Sequence, residues 1–127
     1  MPFVRIDLPS ALPASASPAV SQAVHAAMVA TIDVPAPDMF QVVTHHAAGG
    51  VVVTPEYLGV RHSAKALLVQ IFLAPGRTLQ QKRALYAKIA ADVAQAADVS
   101  PSDVVINLVE TLRENWSFGD GVAQYCL

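Results

Sequence analysis

Apolar and polar residues alternate from Phe3 to Leu8, the period of a half-buried strand, and Pro2 stands where a strand tolerates a missing donor. Met1–Leu8 is therefore predicted as a first strand, and the proline- and serine-bearing residues 9–16 as a loop. Ser17-Pro18 offers an N-cap with proline at the first helical position. Val20, Val24, Ala27, Met28 and Thr31 then recur at helical spacing, which predicts a helix through Ile32. Prolines and aspartates over residues 33–38 end that helix, and Met39–His45 reads as a second strand. The run from Ala48 through Gly49-Gly50 to Val53 predicts a turn and a short edge ribbon. A loop carrying Tyr57, Gly59, Arg61 and His62 leads to a third strand, Ala66–Leu73, and Pro75-Gly76 turns the chain. Thr78 and Gln81 fit a capping box, and the helix behind them runs to about Ala97 with Leu85, Ile89, Val93 and Ala96 on one face. A capped turn at Ser100–Asp103 precedes a fourth strand, Val104–Glu110, and Glu114–Leu127 reads as a tail ribbon.

This pattern occurs twice. Val4, Ile6 and Leu8 match Val69, Ile71 and Leu73 at an offset of 65 residues, and the helical positions Val20, Val24, Met28 and Thr31 fall on Leu85, Ile89, Val93 and Ala96 at the same offset. Asp33, Val34 and Asp38 match Asp98, Val99 and Asp103 likewise, so the repeat covers about residues 2–46 and 67–111. Each unit is strand–helix–strand, with parallel strands and a right-handed crossover. Two such units closed about a pseudo-two-fold axis give an α/β (α+β) fold: a four-stranded mixed sheet with both helices on one face. In that arrangement Pro2 and Asp38, at the starts of strands one and two, share a sheet edge with the residues that follow strands three and four. Those residues are Arg77, Trp116 and Phe118. Asp103 falls at the opposite edge, so one site per subunit is expected.

A chain of 127 residues is expected to form a single domain, 1–127, with a core that needs neither disulfides nor metals. Cys126 is the only cysteine, which excludes a disulfide framework and a thiolate metal site and suits a reducing cytoplasm. A net charge of −2 gives no reason to expect nucleic acid or an anionic membrane as partner. Apolar residues make up 54% and charged residues 14%, so subunit association is expected to cover the apolar surface. The strongly apolar run Ala66–Ala74 contains Gln70 and is far below the roughly 20 residues a membrane span needs. His45 and His46 are adjacent on a predicted strand and point to opposite faces, so they do not chelate together. His25 reads as a partly buried, hydrogen-bonded helix residue, and Lys82, Arg83 and Lys88 as a solvated helix face. No catalytic triad or phosphate-cradling loop is present, and no metal or cofactor is expected.

Pro2 carries the chemistry of interest. If Met1 is trimmed, its ring nitrogen becomes a free secondary amine, a class of group that titrates near pH 7.7–8.0. Burial or a nearby arginine lowers that value and a carboxylate raises it, and a group poised near neutrality suits acid–base work. The Met-Pro start, the paired βαβ units and four stretches together resemble the tautomerase superfamily. The stretches are Val34–Asp38, Arg77–Lys82, Val99–Val104 and Trp116-Ser117-Phe118-Gly119. More narrowly, they resemble the malonate semialdehyde decarboxylases.

The resemblance covers essentially the whole chain. It implies a homotrimer of tautomerase/MIF-like fold and a cofactor-independent enzyme, lyase or isomerase. Pro2 and Asp38 would be catalytic in it, and arginines would hold the carboxylate of a small oxo acid. Arg77 matches one such arginine, and the loop Ala74-Pro75-Gly76 lacks a second. Arg61 matches an arginine of decarboxylase-like sequences, and Trp116 and Phe118 would wall the pocket. The expected activity is decarboxylation of a 3-oxo acid like malonate semialdehyde. A keto–enol tautomerase or hydratase of small 2-oxo or unsaturated acids, and a non-catalytic oligomeric module, are the alternatives.

Overall fold

The computed structural model describes all residues, 1–127. Strand β1 (Phe3–Leu8) sends Val4, Ile6 and Leu8 to one face, where none of the three is exposed to solvent. Helix α1 (Ala16–Ile32) lays Val20, Val24, Ala27 and Met28 over that face and returns the chain to β2 (Gln41–His45), parallel to β1. A small hairpin, β3 (Glu56–Tyr57) and β4 (Val60–Arg61), stands apart from the main sheet. The second unit repeats the first: β5 (Leu67–Leu73), α2 (Leu79–Ala97) and β6 (Val104–Glu110), with β5 and β6 parallel. The sheet order is β2-β1-β5-β6, and its antiparallel centre sets Phe3 opposite Phe72 and Ile6 opposite Val69. No helix is long and apolar enough to cross a membrane.

The repeat reaches the backbone. Both helices end on an aspartate in the left-handed region, Asp33 at φ 58° and Asp98 at φ 54°. Asp tolerates this conformation better than most residues because its short side chain bonds locally. Five residues further on, the amides of Asp38 and Asp103 donate to the carbonyls of Pro35 and Ser100, each at 2.9 Å. Buried residues from both helices and from the central strands form one core, with Leu85, Ile89 and Val93 of α2 fully enclosed. Truncating Leu85 or Ile89 to alanine costs about 2–5 kcal/mol.

Three expected elements differ. Helix α1 begins at Ala16 with Ser15 as its N-cap, not at Ser17-Pro18. Residues 13–15 already turn, with the Ala16 amide donating to the Pro13 carbonyl at 3.0 Å, and Pro18 is tolerated because first-turn amides have no intrahelical acceptor. The edge hairpin lies at residues 56–61, not after Gly49-Gly50, because Leu58 (φ 50°) and Gly59 (φ 80°) make the turn that twists two strands together. The tail holds two 3₁₀ turns, Arg113–Asn115 and Gln124–Cys126, in place of a ribbon. Positive φ at Gly119, Asp120 and Gly121 breaks any extended run between them. Lys82 and Lys88 are ion-paired, with Glu110 at 3.4 Å and Asp92 at 2.9 Å, so that helix face is braced as well as solvated.

Candidate active site

The antiparallel pairing of β1 with β5 brings the start of one beside the end of the other, and Pro2 is buried there. The chain then leaves β5 through Ala74-Pro75-Gly76, with Gly76 at φ 126°, a conformation that disfavours a side chain. An open cavity of about 390 Å³ lies at this edge. Its walls are Met1, the end of α1 (Ile32, Asp33), the loop Ala74–Arg77, Gln81 of α2, and Arg113 and Tyr125 of the tail.

Arg77 is held from two sides. Its Nη2 donates to the Ile32 carbonyl at 3.2 Å and its Nη1 to the Ala74 carbonyl at 3.4 Å. The first acceptor is one of the last carbonyls of α1, which lack intrahelical partners, and a cation is favoured at that end of a helix. Of five guanidinium N–H groups, three stay free for a ligand. Immediately after it, Thr78 Oγ1 accepts from the Gln81 amide at 3.1 Å and Gln81 Oε1 from the Thr78 amide at 2.9 Å, so the capping box fixes the start of α2 beside the cavity.

The terminal amine, here that of Met1, sits among these charges, and its pKa lies below the ordinary 8.0. Burial is the largest cause, the Arg77 guanidinium the next, and the more weakly felt Arg113 acts the same way, while the Asp38 carboxylate opposes them. Asp38 is half-buried and its side chain makes no hydrogen bond within the chain. Its loop is tied to α1 by His25, whose Nε2 donates to the Ala36 carbonyl at 2.8 Å. His25 thus has the partner expected of it on one nitrogen, while its buried Nδ1 has none. The duplicate, Asp103, is occupied: its oxygens accept from the Ser63 amide at 2.7 Å and the Ser63 hydroxyl at 2.6 Å.

Pro2, Asp38 and Arg77 therefore lie at one sheet edge, where Arg77 lines the cavity and Pro2 and Asp38 sit behind its wall. Trp116 and Phe118 stand one layer back from the Arg77 cavity. Phe118 packs on Tyr125 at 5.1 Å and on Phe40 at 5.7 Å, and Trp116 stacks on Phe118 at 5.5 Å. Trp116 lines a different cavity, with Phe3, Arg5 and Phe72. Arg61 is not brought to the site within its own chain. It is exposed in β4 opposite Glu56, in a hairpin that packs beside the Pro101–Asp103 turn at the far edge. His45 donates from Nε2 to the Leu12 carbonyl at 2.6 Å and His46 Nε2 contacts Asp7 Oδ1 at 2.7 Å, so the two serve separate partners. Arg113 and Tyr125 were not singled out by the sequence. The available signal was position: Arg113 follows the end of β6 as Arg77 follows the end of β5.

Family models described as "Tautomerase enzyme" match residues 38–119 and residues 2–61. With the first covering more than half of it, the chain belongs to the tautomerase family. A relative from Bacillus subtilis (strain 168), named Probable tautomerase YusQ, is 36% identical over 124 residues, 98% of either chain. Two solved structures share the architecture. One is FG41 malonate semialdehyde decarboxylase inhibited by 3-bromopropiolate, with TM-score 0.88 and 35% identity over 97% of this chain and 93% of that one. The other is a malonate semialdehyde decarboxylase solved in wild-type, mutant and inactivated forms, with TM-score 0.85 and 31% identity over 97% of this chain and 95% of its own.

Proposed function

We propose that this chain is a cofactor-independent decarboxylase of a small 3-oxo acid such as malonate semialdehyde, acting through Pro2 once Met1 has been removed. One observation carries the reading: the amino terminus opens on a cavity where Arg77 has free donors and Asp38 is in electrostatic range. Arg77 grips the substrate carboxylate bidentately and turns it out of the carbonyl plane, so that the breaking carbon–carbon bond overlaps the π system. Protonated Pro2 donates to the carbonyl oxygen as carbon dioxide leaves, the bonding pair flows into the carbonyl, and the enol takes a proton at carbon to give the aldehyde. Asp38 favours the ammonium form that this step needs. Arg61 enters only as a contribution from a neighbouring copy in the homotrimer that the family resemblance implies. With a single, exposed cysteine the protein suits the cytoplasm.

A second reading rests on the lowered pKa of the terminal amine. A neutral amine is a base, and a base in this place suits keto–enol tautomerisation or hydration of small 2-oxo or unsaturated acids. Protein with Met1 removed, verified by intact mass, is incubated with malonate semialdehyde and, separately, with phenylenolpyruvate. Acetaldehyde release that drops at least 10²-fold in Pro2→Ala, the scale of one acid–base catalyst, is the expected result. Rapid ketonisation without acetaldehyde shifts the assignment to the tautomerase. Neither activity leaves a non-catalytic module, and a Pro2→Ala protein as active as its parent removes Pro2 from the catalytic role.

A further inference from the structure

We propose that Arg113 is a specificity-determining residue that forms a two-guanidinium clamp with Arg77, and that among small 3-oxo acids this site prefers those carrying a second carboxylate over monocarboxylates such as malonate semialdehyde. The inference rests on the same site as the function proposed above and names its substrate class. Strands β5 and β6 are parallel neighbours, paired to their last residues, Leu73 and Glu110. Their exits are tied together where the Thr111 amide donates to the Leu73 carbonyl at 2.8 Å. The two chains therefore leave the sheet side by side, and Arg77 and Arg113 enter one cavity of about 390 Å³. That volume is at the small end of ligand pockets and admits a small oxo acid with room to spare.

Neither guanidinium has a carboxylate within ion-pair distance, and the one acidic residue in the cavity wall is Asp33. All three ion pairs lie elsewhere, on His46, Lys82 and Lys88. Arg77 uses two donors on backbone carbonyls, while Arg113 hydrogen-bonds to nothing in the chain. It lies over the Tyr125 ring, 5.5 Å from the guanidinium carbon to the centroid. This face-on support leaves the edge N–H groups free and steadies a side chain that is otherwise exposed. Tyr125 is itself held by Phe118 and by a loop that Gln124 closes, accepting from the Phe118 amide and donating to the Gly119 carbonyl, each at 2.9 Å. Two cations facing one small space repel each other, and an anion between them removes the repulsion. With Arg77 on the carboxylate that leaves, Arg113 falls to a second carboxylate that stays. The bond to the first breaks, its electrons enter the carbonyl as the oxygen takes the Pro2 proton, carbon dioxide departs, and the enol returns that proton to Pro2 as its carbon is protonated, giving an oxo monocarboxylate.

The test is calorimetry at low ionic strength on the intact protein, comparing inert dicarboxylates of three to five carbons with monocarboxylates of equal length: malonate against propionate, succinate against butyrate, glutarate against pentanoate. The best dicarboxylate is expected to bind at least tenfold more tightly than its partner, about 1.4 kcal/mol. Arg113→Ala should bring that ratio below threefold while changing monocarboxylate affinity less than twofold, and Arg77→Ala should weaken both acids. Arg83→Ala, which removes an exposed charge from α2 away from the cavity, should leave the ratio intact. A parental ratio below threefold, a ratio that survives Arg113→Ala, or an equal fall in Arg83→Ala overturns the clamp. The measurement does not need turnover: the ratio should persist in Pro2→Ala. A protein that keeps the ratio but converts no oxo acid after Met1 removal loses the catalytic reading alone.

Discussion

At the scale of single residues, the terminal amine has the most exacting surroundings. Its pKa is lowered from 8.0, chiefly by burial and then by Arg77, against the pull of Asp38. Between that lowered value and 8.0 the unfolded chain binds more protons than the folded one, so stability rises with pH across the window. The contribution is fully present above about pH 8 and is lost as pH falls through the folded-state value. Substitution should move the pKa in opposite senses: Asp38→Asn lowers it further, and Arg77→Ala raises it without restoring 8.0, because burial remains. NMR titration of the ¹⁵N-labelled terminus measures both, and shifts of like sign in the two variants would refute the arrangement. That Pro2, Asp38 and Arg77 lie at one sheet edge was legible in the sequence, because the repeat closed about a pseudo-two-fold axis fixes which strand ends share it. Arg113 and Tyr125 were not. A lone arginine beyond the last strand has no periodicity to distinguish it from a solvated one, and its meaning comes from the ring beneath it.

At the scale of elements, duplication left two copies of one turn with different work. The backbone bond closing each is 2.9 Å long, yet Asp103 is 3% exposed and bound twice to Ser63, whereas Asp38 bonds to nothing through its side chain. Removing a buried, doubly bonded carboxylate leaves two donors without their acceptor, and Asp103→Ala should cost about 2 kcal/mol. Asp38→Ala should stay within about 0.5 kcal/mol, as expected where no packing or bonding is lost. Urea denaturation of the two variants checks this, and equal losses would mean that Asp38 is structural too. The repeat made the helices and the sheet readable, since periodicity and the Thr78 capping box agree with tertiary packing. The hairpin was missed because its first positive-φ residue is Leu58, where sequence rules look for glycine or asparagine. Gly49-Gly50 gave the stronger local signal and yet makes only a turn, with the Gly50 amide donating to the Ala47 carbonyl.

At the scale of the whole molecule, an isolated chain exposes 7173 Å², against roughly 6,500 Å² for a typical monomer of this mass. Part of the excess comes from the projecting hairpin, where Tyr57 and Leu58 are 64% and 88% exposed. The sheet supplies a second reason to associate. Its helix-free face carries Phe3, Arg5 and Asp7 of β1 and Leu68, Gln70 and Phe72 of β5, alternating with the core positions, and no helix packs on it; only the tail around Trp116 reaches its Phe3–Phe72 end and His46 its Asp7. Phe3 and Phe72 meet there edge to face at 6.1 Å. Burying two aromatic rings is worth a few kcal/mol, enough to favour assembly if the neighbouring polar groups find partners. Sedimentation equilibrium should therefore give three times the 13.4 kDa chain mass, the homotrimer that the family resemblance implies. Phe72→Asp places a charge at the centre of that face, where it is costly to desolvate, and should shift the equilibrium to monomer while the helix-side core stays folded. A parent that sediments as a monomer, or a Phe72→Asp variant that still assembles, would mean that this face is not the interface.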